Sequence, residues 1–442
     1  MKATSPEAEA MPEYETPELA AYYSNRPLMW RNLSLILLLN LGWAVSFTVV
    51  SPLIQLKLNS SGVAEGGLGF IAALNGWIYS YVVMYIAWKS DHTVSRFGRR
   101  IPYLFISAPI IIITVLIFPF SQWKWLLVAL ALLQMLFSDI KAATIPLLNI
   151  DCMPRCLLAR TGAPASMIMW AMTFFAMRYG MQLSDWSETL PYLIAGAILT
   201  ATTLIGAFSI KEPPIHEPTT EKFKPWSAMK VAWKDKRTIL LMASVAILGT
   251  YQTVFNTWIW LYAKNTLHLS RTDTGMIISW AIPVTVALSF PVAWLIDRIS
   301  PYKLLPWMVL SAGLSLCFLR HASTDSCLII AAGFNAIAML LGGAADIMVY
   351  RHSPASEIGS VTSTNSCLRG FYGGCVAFFT GYMIERLGGR YDYAFAMAFG
   401  LSVLGLILLF GYHRLMRSEV GSSSESPSTT LAARPQGESC PV

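Results

Sequence analysis

Four ionisable side chains stand inside long apolar runs, where charge is costly: Asp139 and Lys141 in one run, Arg178 in the next and Arg369 in a later one. An acid and cations in such surroundings suit two kinds of chemistry. They can form a static buried pair that fixes packing. They can also exchange a proton, because burial raises the pKa of a carboxyl group and a neighbouring cation lowers it. Asp139 and Lys141 are two residues apart, so on a helix they point about 200° away from each other and are not a pair. Asp139 is the sole acid well inside a run, since Asp346 lies near an end. The histidines His92, His216, His268, His321, His352 and His413 all fall between runs or at their ends. Asp139 is therefore the candidate proton acceptor, with Arg178 and Arg369 as the cations that would share its cavity.

Uncharged polar residues recur at helical spacing in the same runs. Gln252 and Asn256 are four apart, and Thr362, Asn365, Arg369 and Tyr372 follow at spacings that keep one face. Asn40, Trp43 and Ser51 share the first run, and Asn335 lies in the tenth. Amides, a cation and a flat aromatic ring together suit a solute with many hydroxyls and an apolar face, such as a sugar. The candidate solute contacts are Asn40, Trp43, Lys141, Gln252, Asn256, Trp260, Asn335 and Arg369. Trp77, Trp258 and Trp280 are further stacking candidates, although a single Trp more often belongs to an interfacial belt. No Ser/His/Asp set, metal cluster or phosphate loop is apparent, so an enzyme is not expected and no cofactor is implied. Cys152 and Cys156 are four apart but have no third ligand nearby, and they read as reduced thiols.

The elements that must position these residues are transmembrane helices. Hydrophobic residues make up 55% of the 442-residue chain and charged residues 13%, about half the usual share of a soluble domain. That composition excludes a disordered chain. It has room for twelve helices of about 20 residues. Apolar runs at 32–56, 68–88, 101–120, 125–149, 163–183, 190–210, 238–263, 274–296, 304–320, 327–349, 360–385 and 392–413 supply them. The polar, Pro-rich stretch 211–237 divides two six-helix lobes, 32–210 and 238–414. The tails 1–31 and 415–442 read as disordered, and the acidic N-terminus is not a signal peptide. With both termini in the cytoplasm, inside segments hold 22 of the 32 Lys and Arg, outside loops 7 and the spans 3. This asymmetry fixes the orientation and explains the net charge of +7 without nucleic acid.

The halves echo each other. Asp91 ends the second run and is followed by Arg96-Phe97-Gly98-Arg99-Arg100; Asp297-Arg298 ends the eighth, 206 residues later. Asp91-x4-Arg96-Phe97-Gly98-Arg99-Arg100-x-Pro102 resembles the loop 2–3 signature of the major facilitator superfamily. Ser90-Asp91 and Ser95 to Arg100, with Gly42-Trp43-Ala44 and Pro52 to Leu56, resemble the sucrose-type symporters and the neighbouring glycoside–pentoside–hexuronide:cation symporters. The resemblance implies an all-α, twelve-helix carrier in two lobes, with helices one, four, seven and ten lining a central cavity. It implies alternating access, with a sugar or glycoside moved alongside a proton. It gives Asp91, Arg96, Gly98, Arg99 and Arg100, and their counterparts Asp297 and Arg298, the role of a cytoplasmic gate. An exporter or exchanger of another small solute, or a solute receptor that moves nothing, is the alternative. The expected setting is a plasma or bacterial inner membrane, with the chain a monomer whose partners are the solute, a proton or other cation, and lipid.

Overall fold

The computed structural model describes residues 17–93, 95–153, 158–213, 236–299, 301–321, 325–351 and 358–422. These are helical throughout, with short connections and no strand among them. A short helix, α1 (Pro17–Ser24), leads into α2 (Arg26–Ser60), α3 (Glu65–Asp91), α4 (Ile101–Ile117), α5 (Lys124–Cys152), α6 (Leu158–Trp186) and α7 (Leu190–Ser209). The second half holds α8 (Lys236–Leu248), α9 (Thr250–Asn265), α10 (Arg271–Ser279), α11 (Ala281–Arg298), α12 (Pro301–Arg320), α13 (Asp325–Arg351), α14 (Ile358–Arg386) and α15 (Tyr391–Ser422).

Nine stretches among the described residues are long and apolar enough to cross a membrane. The other long stretches, α6, α10–α11 and α14, carry Arg178, a break at Trp280 and Arg369; they correspond to the expected fifth, eighth and eleventh spans. Only a helix or a closed barrel satisfies its backbone in lipid, so an apolar chain whose described residues hold helices and no strand is an all-α polytopic membrane protein. The helices outrun the apolar runs because polar caps extend them. Asn25 accepts the Leu28 N–H at 3.2 Å and Pro27 sits in the first turn, so α2 starts at Arg26, well before its apolar run. Residues 17–24, expected in the N-terminal tail, form α1. Residues 1–16, 214–235 and 423–442, and with them most of the expected linker and tails, lie outside the described residues, as does Cys156.

Within the first half α2 packs on α5, α6 and α7, and α4 packs on α5 and α7. In the second half α12 packs on α13, and α15 on α8, α9 and α12. Two seams join the halves: α3 against α14, the most extensive helix contact, and α6 against α10 and α11. Glycines make the first seam possible. A Cβ on Gly69 would lie 2.6 Å from the Ala377 carbonyl oxygen, and one on Gly374 would lie 2.8 Å from that of Ala73. At these points the two backbones touch directly, the close approach that small residues permit in lipid, where packing replaces the hydrophobic drive.

Candidate functional site

The two ends of the helix bundle differ. One, the basic face, carries α1, the loop residues 95–100 and the end of α7. There Asp151, at the end of α5, holds two guanidinium groups. Its Oδ2 accepts from Arg100 Nε at 2.8 Å and from Arg99 Nε at 3.0 Å. Arg100 also donates to Asp91 Oδ1 at 2.6 Å and to Ser90 Oγ. Glu212, just past α7, accepts the backbone N–H groups of Arg99, Arg100 and Ile101 at 2.7, 2.9 and 2.8 Å. These are the unpaired donors that open α4, and an anion belongs there. Burial pushes the pKa of Glu212 up, and the three N–H bonds oppose that shift. Gly98 turns the chain at φ 110°, and a Cβ there would strike the Glu212 carboxyl. Asn32 fixes Lys211 from both sides, accepting its N–H at 3.3 Å and donating to its carbonyl at 2.8 Å. Tyr22 of α1 donates to the same carbonyl, and Tyr23 donates to the carbonyl of Asp151, both at 2.8 Å.

The cluster thus unites Asp91, Gly98, Arg99 and Arg100 of the sequence motif. Arg96 stays at the surface over the Phe97 ring, 4.7 Å from its centroid, and Arg298 packs on Trp294 at 4.3 Å. The side chain of Asp297 lies outside the described residues. Glu212 and Asn32 were not singled out from sequence, and Asp151 only as the acid that closes the fourth helix. The available signal was sign: Asp151 and Glu212 are acids at the ends of apolar runs on a face otherwise rich in Lys and Arg.

At the opposite face the halves are tied together. Gly66 N–H donates to Glu385 at 3.0 Å and Tyr391 OH to Glu65 at 3.2 Å. Arg271 meets Glu188 at 3.2 Å, Thr272 donates to Asp185, and Gln55 donates to the Thr257 carbonyl at 2.8 Å.

Between these ends lies a cavity of about 460 Å³ bounded by α2, α6, α9, α10–α11 and α13. Its aromatic wall comprises Trp43, Phe47, Trp170, Phe255 and Trp260, with Trp43 stacked on Phe47 at 5.3 Å. Met169, Met177 and Met339 add flexible apolar surface. Several polar lining groups already have partners. Thr173 and Thr285 donate to the carbonyls of Met169 and Ala281 on their own helices, and Thr48 donates to Thr173. Two buried polar atoms have none: Trp43 Nε1 and Asn335 Oδ1. Asn256 also lines the cavity, and among the described residues none of its lining is ionisable at neutral pH.

Of the expected solute contacts, Trp43, Asn256, Trp260 and Asn335 come together in this cavity. Asn40 donates to the Ile36 carbonyl of its own helix, and Gln252 packs towards Gly342; neither is in the lining. Lys141 is fully buried between α5 and α7, with its Nζ on Thr203 Oγ1 at 3.0 Å. Arg369 is exposed on α14. Trp258 is core, its indole N–H bonded to Thr380. Asp139 is 9% exposed and outside the lining, with Oδ2 unpartnered and Tyr79 within electrostatic reach. Arg178 packs against Phe174 and Trp280 at 6.0 and 5.8 Å, its Nη1 buried without a partner.

The family model described as the Major Facilitator Superfamily matches residues 33–284 and 253–437. Solved structures with the same fold include the nucleoside transporter NupG, with 12% identity and a TM-score of 0.69 over 87% of this chain and 99% of that one. A bacterial homolog of the human lysosomal transporter Spinster, in an inward-facing, unoccupied conformation, gives 14% and 0.65 over 91% and 100%. The peptide transporter POT in complex with sulfate gives 10% and 0.69 over 87% and 95%. At these identities the likeness is one of fold. No curated protein sequence matches the chain.

Proposed function

The chain belongs to the Major Facilitator Superfamily and is a membrane transporter rather than an enzyme; from that premise we propose that it carries a neutral hydroxylated solute, a sugar or glycoside, by alternating access with proton symport. The observation that carries the solute class is the cavity wall, which among the described residues combines three Trp with amides and hydroxyls and has no ionisable side chain. A charged solute would lose its hydration there without a compensating partner. The ties between halves at the face opposite the basic one support an inward-facing state, with the basic face cytoplasmic in a plasma or bacterial inner membrane. The two halves, 32–210 and 238–414, then act as the moving lobes. Asp139, a buried acid with an unpartnered oxygen, is the proton site in this reading, and the Asp91–Arg99–Arg100–Asp151 cluster is the gate.

Proteoliposomes with an imposed pH gradient test this directly. Labelled glucose and glucosides should accumulate with the gradient, while a dipeptide or an anionic sugar should not. Accumulation of the charged solute, or none that follows pH, overturns it. Exchange of another neutral solute is the second reading, favoured by the methionine-rich wall, and counterflow without a gradient identifies it. A receptor that moves nothing would bind without uptake.

A further inference from the structure

Among the described ties that close the face opposite the basic one, the bond from Gln55 to Thr257 differs from the rest. Gln55 also lines the cavity, whereas Glu65, Asp185, Glu188 and Glu385 and the groups they hold do not. One side chain therefore belongs both to the closed face and to the solute chamber. Its amide is used at one end alone. A carbonyl can only accept, so the nitrogen meets Thr257, at 2.8 Å, and the oxygen is left over. Gln55 is half-buried, and among the described residues its Oε1 has no partner and is not one of the fully buried polar atoms. Two further open polar groups lie beside it in the chain. Ser51 is one turn earlier on α2, and Asn256 precedes Thr257 on α9; both line the cavity, and neither side chain is hydrogen-bonded among the described residues. Asn256 is exposed although it stands inside an apolar helix, so the space it faces is the cavity. An amide couples its two ends: hydrogen bonds in a chain polarise one another, so an amide whose oxygen accepts becomes a better donor at its nitrogen.

We propose that Gln55 relays occupancy of the cavity to the closed face: a solute hydroxyl donates to its Oε1 and so tightens the bond from its Nε2 to the Thr257 carbonyl. That bond crosses from α2 in one half to α9 in the other. The face opposite the basic one then closes behind a loaded cavity. When the solute leaves towards the basic face the bond weakens, and the closed face can open again. The chemistry required of the solute is a donor hydroxyl, since an ether oxygen in its place would meet Oε1 as acceptor against acceptor. Gln55 is thus a positioning residue for closure. This rests on the reading of the cavity as the transport site and adds to it a demand for donors on the solute.

Spin labels at Ser60→Cys and Thr266→Cys, both exposed at that face and on opposite halves, measure its closure in the full chain with native cysteines replaced. Saturating methyl β-glucoside should raise the ratio of short to long separations about two-fold or more. Its permethylated form offers acceptors and no donor, and should leave the ratio unchanged. Gln55→Met keeps the length of the side chain and removes both ends of the amide. It should lower the ratio in the empty protein about two- to ten-fold, the contribution of one neutral hydrogen bond, and abolish the response to the glucoside. A response that survives in Gln55→Met overturns the inference. So do equal shifts from the glucoside and its permethylated form, a comparison made in the parent chain and independent of how the variant folds. Equilibrium dialysis of the same samples separates the inference from its premise. Methyl β-glucoside that binds the parent without changing the separation overturns the inference and leaves the sugar reading standing. Methyl β-glucoside that does not bind overturns both.

Discussion

Asp91 and Asp151 meet the same two arginines, yet they sit in different surroundings. The Asp91 side chain is 49% exposed and the Asp151 side chain 7%. An exposed ion pair contributes about 0–1 kcal/mol, whereas removing one partner of a buried pair costs about 3–5 kcal/mol. Asp151→Asn should therefore lower the melting temperature markedly, and Asp91→Asn should leave it nearly unchanged while slowing turnover. Equal melting temperatures for the two variants would show that the cluster does not depend on Asp151. Asp139 has a different test, because its role is argued from isolation rather than pairing. Asp139→Asn imitates the protonated form. It should still exchange solute in the absence of a gradient and fail to accumulate it against one; accumulation at the parent's level would make Asp139 structural. The residue types of the site were legible in the sequence, since amides and Trp inside apolar runs picked out Trp43, Asn256, Trp260 and Asn335. Their partners were not. Asn40 and Lys141 have the same chemistry, but helix rotation turns one towards its own backbone and the other towards Thr203. Spacing within one helix carries no information about which neighbour that face meets.

Among the elements, the α3–α14 seam is where one atom should matter most. A Cβ on Gly76 would lie 2.6 Å from the Gly370 carbonyl oxygen, a rigid neighbour that has no rotamer with which to retreat. Gly76→Val and Gly374→Val should each destabilise the protein by about 1–3 kcal/mol, the usual effect of overpacking. Gly343, on α13, has nothing within 4 Å of its Cβ position. Gly343→Ala should accordingly be neutral or stabilising by up to about 1 kcal/mol, since alanine loses less freedom in a helix. Thermal melts of the three variants in one detergent make the comparison. The sequence displayed these glycines plainly, but it displayed Gly343 just as plainly. The difference between a seam glycine and an idle one is the partner helix. Helix existence, by contrast, was readable because a run of about 20 apolar residues has few other uses. Two spans hid their breaks: Gly249 divides α8 from α9, and Trp280 divides α10 from α11. Apolar content is blind to whether one turn of backbone is continuous.

For the whole molecule, the ties at the face opposite the basic one make a directional prediction. With native cysteines replaced, Asn256→Cys and Asn335→Cys should react with a membrane-impermeant thiol reagent applied to the basic face. The same reagent applied from the other side should react much more slowly. Reaction at equal rates from both sides would contradict the closed face. Glu385→Gln combined with Glu188→Gln should raise the slow rate, because charge-assisted hydrogen bonds are about twice as strong as neutral ones. The glycine seam bears on how such a motion proceeds. At Gly69, Gly76 and Gly374 the α3 and α14 backbones meet directly, and the side-chain contacts beside them are Phe70 with Phe378, Trp77 with Phe371 and Ser80 with the Cys367 carbonyl. At the glycines the contact behaves as a smooth bearing. Rocking about it requires little rotamer exchange, so the friction of the cycle falls on the polar ties at the far rim. The temperature dependence of turnover should then follow the breaking of those few hydrogen bonds, and a valine in the bearing should steepen it.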